Sequence, residues 1–269
     1  MATSLVKIVS QLKKVDKITG FPENILLGYS DTSSASEHLA RYLFCRNYVK
    51  GLILDVAAGS CYGSSVLASN ESNYVVSVDM NFVALLYGKR VFTRKNTDAV
   101  CCHAEYLPFR SACFDGIVSI ETLEHLRDPY TFLKEVKRIM KHSGLLILTT
   151  PNKNLTSPII PPLNPHHFQE YNYKDVLALF KVAGLRIIAT FYQTRISIPL
   201  LFMRVIGSLL AFILVKFKIS ILPIRTFLNK FKDRDPLEPD PSRYPICPYN
   251  RTLDTLTNSQ LMVFGKIGA

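Results

Sequence analysis

The sequence predicts an α/β fold built on a doubly wound, mostly parallel sheet. Two observations support this prediction. Short, continuously apolar segments recur along the chain, and a helical stretch or a loop separates each from the next, as in parallel sheets that helices cover on both faces. A loop of small residues follows the first of these segments, where such folds turn from a strand into a helix. With 269 residues, 48% of them hydrophobic, the chain is long enough for one large domain with an appendage.

The helices are predicted from their caps and from apolar spacing. The first lies in SEHLARYLFCRNYVKG, with Ser36 as its N-cap and Gly51 at its end. The segment 128–144 is amphipathic, and we expect it to close on Lys141, His142 and Gly144. A third helix is expected at 172–184, between an Asn cap and a glycine.

The strands are predicted as short aliphatic or β-branched segments at 52–56, 74–79, 114–120, 144–151, 185–193 and 261–267. The pattern indicates a Rossmann-like sheet of seven strands in all, with a helical, apolar insertion before the last one. Three regions follow from it: an N-terminal helical extension at 1–50, a core at 51–194 with 257–269, and an apolar, basic insertion at 195–256.

The insertion combines positive charge with bulky aliphatic side chains. Residues 195–234 carry eight Lys or Arg and one acid, a net charge of +7, and residues 196–215 hold one charge in twenty positions. We expect two helices, 199–218 and 221–232, that dock on an anionic membrane surface. A transmembrane span is disfavoured because it would leave the last strand on the wrong side of the bilayer. The alternative is a helical cap over the acceptor pocket, and residues 235–250 are expected to be a Pro-rich return loop.

Composition argues against several other classes of protein. The six cysteines show no CxxC spacing, so reduced thiols are expected rather than disulfides or a zinc site. The first thirty residues lack the features of a signal peptide. Nucleic acid is a disfavoured partner because the basic residues are not interleaved with aromatics or glycine. The predicted location is the cytoplasm, with peripheral attachment to a membrane as an open alternative.

The segment ILDVAAGSCYGS (53–64) marks the default ligand site, because ligands of doubly wound sheets bind beyond the carboxyl ends of the strands. Small residues let the backbone approach a ligand, and the following helix offers free N–H groups to an anion. Asp79 ends the next predicted strand, and an acid there can accept two hydrogen bonds from a ribose diol. The alternative is an ordinary tight turn and a solvated aspartate.

Residues 52–152 resemble a class I S-adenosylmethionine-dependent methyltransferase of the type 11 group. ILDVAAGSCYGS is similar to the first motif of these enzymes, VVSVDMN to the second, and the stretch from AEYLPF to TTPN to the third through fifth. ETLEH resembles the subgroup with ExxEH after the fourth strand, which includes ubiquinone-type O-methyltransferases and enzymes encoded with cell-surface glycan pathways. EHLARYLF and NPHHFQEY are similar to the glycan-pathway enzymes. The resemblance covers residues 36–194 and the last strand.

The resemblance implies S-adenosylmethionine as the cofactor and a role for each matching residue. At the methionine end, Asp55 would orient the loop and meet the amino group, and Ala57 and Gly59 would make backbone contacts. At the nucleoside end, Asp79 would bind the ribose hydroxyls, Met80 would pack on the adenine, and Ala104 would contact the adenine edge through its backbone. Ile120 and Glu121 would line the pocket near the sulfonium.

Two positions depart from the family pattern. Cys61 stands where the family usually has glycine, and a Cβ costs on the order of 1–2 kcal/mol there if the loop needs a positive φ. His103 stands where the family usually has an acid that accepts from the adenine amino group. A histidine can accept this bond only as the right neutral tautomer.

Four side chains, Glu121, Glu124, His125 and His167, are predicted to carry the chemistry. The first three have helical spacing (i, i+3, i+4), so they share one side if they start a helix. Three roles stay open: His125 as general base, a divalent cation held with His166 or His167, or a merely structural brace at the pocket edge. His166 and His167 follow the Pro-rich segment 158–165, which is a candidate lid over the acceptor.

The function predicted from these features is methyl transfer from S-adenosylmethionine to a hydroxyl of a small-molecule, saccharide or lipid-linked acceptor, at or near a membrane surface. The alternative is a non-catalytic, membrane-associated binding protein of the same fold, with a cofactor loop that has degenerated at Cys61 and His103.

Overall fold

The computed structural model describes residues 32–92, 94–157, 162, 164, 166–194, 241–248 and 258–268. The α-helices are α1 (Thr32–Cys45), α2 (Tyr62–Leu67), α3 (Phe82–Val91), α4 (Pro129–Ile139), α5 (Lys153–Thr156) and α6 (Tyr173–Ala183), with 3₁₀ turns at Leu123–His125 and Pro241–Arg243. The strands are β1 (Gly51–Val56), β2 (Asn73–Asp79), β3 (Thr97–Cys101), β4 (Phe114–Ile120), β5 (Met140–Pro151), β6 (Leu185–Thr194), β7 (Ile246–Pro248) and β8 (Asn258–Ile267).

These strands form one sheet in the order β3-β2-β1-β4-β5-β8-β6-β7. Strands β1 to β5 pair in parallel, whereas β8 runs antiparallel to β5 and β6, and β7 runs antiparallel to β6. The predicted α/β class and mostly parallel, Rossmann-like arrangement are confirmed. The sheet has eight strands rather than seven because β7 pairs with residues 191–193 at its edge, where the sequence predicts only a return loop. A three-residue, Pro-containing edge strand is too short to show a periodic signal.

Helices cover both faces of the sheet, as the doubly wound prediction requires. In β1, Ile53 belongs to the apolar cluster that includes α1 and α2, and Leu54 belongs to the cluster that includes α4 and α6. This division follows from the alternation of side chains along a strand. The apolar stripe predicted on α4 is fully buried; its residues are Phe132, Leu133, Val136 and Ile139.

Two helices differ from the prediction in their boundaries. Helix α1 spans Thr32–Cys45, so it begins before the predicted cap Ser36 and ends before Gly51, which instead opens β1. Helix α4 ends at Ile139, and Lys141 and His142 lie in β5 rather than in a final helical turn. The physical reason is pairing with the sheet: Met140 is extended, buried and opposite Phe114 in the ladder, so sheet hydrogen bonds replace the last helical turn. Helix α6 has its predicted Asn172 cap and ends at Gly184 in the left-handed region.

Several predicted features lie outside the described residues. They are the N-terminal residues 1–31, the two helices expected at 199–218 and 221–232, and, apart from Pro162 and Asn164, the candidate lid at 158–165. Within the described ranges, no helix combines the length and apolarity that crossing a bilayer requires.

Candidate active site

The turn between β1 and α2 has three residues in the left-handed region: Ala57 (φ 57°), Gly59 (φ 52°) and Cys61 (φ 58°). The conformation predicted to be costly at Cys61 is therefore present. The Cys61 side chain is buried, and its Cβ would lie 2.8 Å from a Cβ added at Gly88, so the glycine in α3 gives it room. Burial raises the pKa of the Cys61 thiol to about 12, which makes it an unreactive packing group.

Asp55 anchors the start of α2 from inside the core. Its carboxylate is fully buried and accepts hydrogen bonds from the Tyr42 hydroxyl (3.2 Å) and from Ser64 Oγ (2.6 Å), which itself accepts from Ser77 Oγ (2.7 Å). Burial raises the pKa of Asp55 to about 7, and the two hydroxyl donors only partly oppose this effect. Asp55 thus joins α1 and α2 beneath the turn through these two bonds, and near neutral pH its protonated and ionised forms are both populated.

Asp79 fastens the same turn to the end of β2. Its Oδ2 accepts from Gly59 N (2.7 Å) and its Oδ1 from Asn81 N (2.8 Å), which leaves each oxygen with further acceptor capacity. Next to it, the Met80 side chain is 66% exposed. His103 is exposed and Ala104 half-buried beyond the end of β3. An acid can accept hydrogen bonds from the ribose of a nucleoside, and an exposed apolar side chain next to it can pack on the base.

Glu121 follows the buried Ile120 at the end of β4, and it faces α1. Its carboxylate accepts from His38 Nε2 (2.7 Å) and from Arg41 Nη2 (3.1 Å), and Arg41 Nη1 also donates to Gln193 Oε1 (2.8 Å). Burial alone would raise the pKa of Glu121, but His38 and the charge of Arg41 outweigh it and hold the pKa well below its usual range. Arg41 is completely buried.

The expected common helix face of Glu121, Glu124 and His125 is not observed. Glu121 has a φ of 51°, so the backbone leaves helical geometry there, and the 3₁₀ turn covers only Leu123–His125. The sequence reasoning also missed the partners of Glu121. His38 and Arg41 are three residues apart on a predicted helix, a spacing that places them on one face and could have marked them.

Glu124 is fully buried beneath the loop that carries the paired histidines. Its Oε2 accepts from Thr150 Oγ1 (2.9 Å), and its backbone oxygen accepts from Phe168 N (2.8 Å), which fixes the loop on the 3₁₀ turn. Among the described residues, its Oε1 has no hydrogen-bond partner. Burial, and then the negative charge of Glu121, raise the pKa of Glu124 well above its usual range.

The structure brings His167 to His125, as one of the sequence hypotheses requires. The two rings are nearly perpendicular, with centroids 4.9 Å apart. His125 Nδ1 lies 3.1 Å from the backbone oxygen of His166, and His167 Nδ1 lies 2.7 Å from Glu170 Oε1. Burial would raise the pKa of Glu170, but hydrogen bonds led by that of His167 lower it overall. A cluster of two imidazoles and a buried carboxyl can accept a proton or hold a cation.

Comparison with known proteins agrees with the resemblance seen in the sequence. A family model described as a methyltransferase domain matches residues 54–148, which include the turn, Asp79 and Glu121 to His125. Over these residues the chain is similar to class I S-adenosylmethionine-dependent methyltransferases. The fold agrees: a chain in the Haloferax volcanii complex of the Trm112 methyltransferase activator with a methyltransferase superposes with a TM-score of 0.60, at 15% identity and over 88% of this chain and 92% of that one.

Two relatives of the methyltransferase domain are informative. A Mycobacterium tuberculosis protein named "Probable S-adenosylmethionine-dependent methyltransferase" is 30% identical over 133 residues, 49% of this chain and 47% of the relative. The ubiquinone/menaquinone biosynthesis C-methyltransferase of Haemophilus ducreyi is 30% identical over 148 residues, 52% of this chain and 54% of the relative. The chain therefore spans about half the length of these relatives, and the family implies S-adenosylmethionine as the cofactor.

Proposed function

We propose that this chain transfers a methyl group to a hydroxyl oxygen of a small-molecule acceptor. The observation that supports this proposal is that two sets of residues, the aspartates of β1 and β2 and the acidic and histidine residues after β4, lie at one edge of the sheet. Asp55 and Asp79 lie at the ends of β1 and β2, and Glu121 to His125 follow β4, which pairs with β1 on its other side. Parallel neighbouring strands bring their carboxyl ends to the same edge, so a bound cofactor and an acceptor would meet there.

The residues on the β1 and β2 side fit the cofactor. The Tyr62 hydroxyl is buried without a hydrogen-bond partner among the described residues, so a ligand atom that accepts a hydrogen bond there would satisfy a costly orphaned donor. Asp79 keeps acceptor capacity for a ribose diol, and Met80 offers apolar surface to a base. When bound, S-adenosylmethionine supplies an electrophilic methyl group on its sulfonium.

The residues after β4 would hold and activate the acceptor. His167 has the arrangement of a general base, because the bond to Glu170 favours the proton on Nδ1 and leaves the lone pair on Nε2. Asn164 Nδ2 lies 2.9 Å from Nε2 and donates to it, so an acceptor hydroxyl would have to replace this amide. Aligning a hydroxyl with an already reactive methyl group supplies much of the acceleration, so these groups need only position the oxygen and receive its proton, directly or through water. Oxygen is preferred to carbon as the methylated atom because a neighbouring imidazole suits removal of a hydroxyl proton.

The finer parts of this function rest on the sequence. We infer a methyltransferase core at 51–194 with 257–269, an N-terminal extension at 1–50 and an insertion at 195–256. A saccharide acceptor is supported by the resemblance of EHLARYLF and NPHHFQEY to glycan-pathway enzymes. A lipid-linked acceptor and attachment to a membrane surface are supported by the basic, apolar segment 195–234, which lies outside the described residues. The non-catalytic alternative rests on Cys61 and His103. The absence of a side chain at Gly88 gives the left-handed Cys61 room, whereas His103 is exposed beyond the end of β3.

Calorimetry with S-adenosylmethionine and with its demethylated product tests the cofactor. We expect saturable binding, and we expect Asp79→Ala to weaken it about tenfold or more, because two hydrogen bonds that shape the turn and the proposed diol contact are lost together. Asp98→Ala is the matched control, since Asp98 lies on the neighbouring strand β3 and bonds only to the exposed Tyr74 among its described contacts. If millimolar S-adenosylmethionine does not bind, the proposal that this chain transfers a methyl group is refuted.

A further inference from the structure

We propose that Glu124, His125 and His167 bind a divalent first-row transition-metal cation at the acceptor end of the site. One ligand atom from each residue lies within 4.8 Å of the other two. The two imidazoles are partly exposed, and Glu124 is buried beneath them. The role of the ion in activating an acceptor rests on the proposed function, whereas the binding of the ion does not.

The first independent observation is the orphaned oxygen of Glu124. The side chain is fully buried, and Thr150 Oγ1 satisfies Oε2 only. Within the part of the chain that the structure describes, Oε1 has no partner. Leaving a buried polar atom without a partner costs about 1–3 kcal/mol of stability, so such an atom in a native protein indicates that a water, an ion or a ligand contacts it. A cation between Glu124 and the two histidines would satisfy this oxygen directly.

The second observation is the support behind each imidazole. Histidines that bind metals through one nitrogen commonly donate the other N–H to a carboxylate or a backbone carbonyl. Both forms are present: His167 Nδ1 bonds to Glu170 Oε1 (2.7 Å), and His125 Nδ1 to the backbone oxygen of His166 (3.1 Å). Each bond places the proton on Nδ1 and the lone pair on Nε2. Glu170 is itself held by the hydroxyls of Thr156 and Ser157, so this support is rigid.

One contact has to change when an ion binds. Asn164 Nδ2 lies 2.9 Å from His167 Nε2 and donates to it in the tautomer described above. This nitrogen would exchange the amide donor for the cation. Asn164 also accepts from His166 N through its side-chain oxygen (3.1 Å), so it can remain in the loop after giving up the bond to His167.

The donor set selects the class of ion. Two imidazoles and one carboxylate suit Zn²⁺, Fe²⁺, Co²⁺ or Ni²⁺ better than Mg²⁺ or Ca²⁺, which prefer oxygen donors. Three protein ligands leave coordination positions for an acceptor hydroxyl, and the ion would lower the pKa of that hydroxyl so that its proton passes to water. Glu121 is not a ligand in this arrangement, because His38 and Arg41 already bind its carboxylate.

Cobalt titration of the untagged, metal-free full chain tests the site, without cofactor or acceptor. We expect one Co²⁺ per chain, with visible absorption bands of histidine coordination, and at least tenfold weaker binding in His125→Ala, His167→Ala and Glu124→Gln. His142→Ala is the matched control, because His142 is an exposed histidine on β5. His166→Ala is the sharper one: it keeps the backbone carbonyl behind His125, so Co²⁺ binding should persist.

The outcomes separate the two proposals. No saturable Co²⁺ binding, or binding that falls in His166→Ala but not in His167→Ala, would overturn the metal site. Cobalt binding by Glu124→Gln counts only if a cooperative thermal unfolding transition shows that this variant folds. If it does not fold, His125→Ala and His167→Ala, at partly exposed positions, decide the result. If Co²⁺ binds as expected while calorimetry detects no S-adenosylmethionine, the proposed function fails and the metal site stands.

Discussion

At the scale of single residues, Cys61 has a side chain at a position of the β1–α2 turn where the backbone is left-handed. Its φ of 58° costs about 1–2 kcal/mol for a residue with a Cβ, and glycine removes that cost. Cys61→Gly and Cys61→Ala both delete the sulfur, but only the glycine relieves the strain. We therefore expect the glycine variant to be about 1 kcal/mol more stable than the alanine variant by urea unfolding. Equal stabilities would show that the backbone at 61 is unstrained.

A second prediction at this scale concerns Asp55 and the dependence of the free energy of unfolding on pH. Its pKa is about 7 in the folded protein, against about 3.9 in an unfolded chain, so the folded state binds the extra proton between these values. The stabilisation is complete below pH ~4 and is lost as the pH rises through 7. Relative to Asp55→Asn, the wild type should therefore lose about 2–3 kcal/mol of unfolding free energy between about pH 5 and 8.

Urea unfolding of the wild type and of Asp55→Asn at both pH values gives this difference, and other titrating groups cancel because both proteins carry them. Tyr42→Phe serves as a further control, since it removes one hydrogen bond to Asp55 and leaves the carboxyl in place. A wild-type-minus-variant difference that stays constant with pH would mean that Asp55 titrates normally.

Sequence reasoning succeeded at this scale where contacts are local and failed where they are distant. The glycine turn, its positive φ at Cys61 and the proximity of Asp79 follow from a strand, a tight turn and a second strand within thirty residues. The pairing of Glu121 with Arg41 joins residues 80 positions apart, and no periodicity encodes it. The helical spacing of Glu121, Glu124 and His125 was a false signal because one left-handed residue broke it.

At the scale of elements, the ion pair of Arg41 and Glu121 fastens α1 to the end of β4. Arg41 is completely buried and also binds Gln193 of β6, so this helix is tied to two strands at once. Replacing it by alanine removes the charged partner of Glu121 Oε1 and the described donor to Gln193 Oε1, and it leaves a cavity at a fully buried position. We expect Arg41→Ala to lose on the order of 3 kcal/mol of unfolding free energy.

The matched control for this prediction is Arg46→Ala, just beyond the end of α1. Arg46 is half-buried and donates to Ser69 Oγ (2.9 Å), so its loss should cost less than about 1 kcal/mol. Urea unfolding measures both variants. If Arg41→Ala costs no more than Arg46→Ala, the buried pair does not hold α1 in place.

At the scale of the whole molecule, the site exists because the order of strands brings distant segments to one edge. Strands β1, β2, β4 and β5 of the parallel half could be predicted from repeated apolar segments, and they place Asp55, Asp79 and Glu121 at one edge. Strand β3 (Thr97–Cys101) is not among the predicted strands, because TDAVC is short and mostly polar or small. The antiparallel half could not be predicted in full, because β7 has three residues. It supplies Gln193, which accepts from Arg41 and donates to the backbone oxygen of Tyr244 near β7.

The net charge of +11 also belongs to the whole molecule, and the segment 195–234 holds +7 of it. Each Lys or Arg near an anionic bilayer contributes about 1 kcal/mol to binding, and added salt screens this attraction. We expect the chain to sediment with phosphatidylserine vesicles at low salt and to be released at high salt.

Changing four lysines of this segment to glutamine, at Lys216, Lys218, Lys230 and Lys232, should abolish sedimentation. The same change at four exposed lysines outside this segment, Lys50, Lys89, Lys95 and Lys181, removes as much charge from described surface and should have little effect. Equal losses in the two variants would mean that net charge alone drives binding. No sedimentation of the wild type at low salt would refute attachment to an anionic membrane, and the basic, apolar segment would then need another explanation, such as a cap over the acceptor.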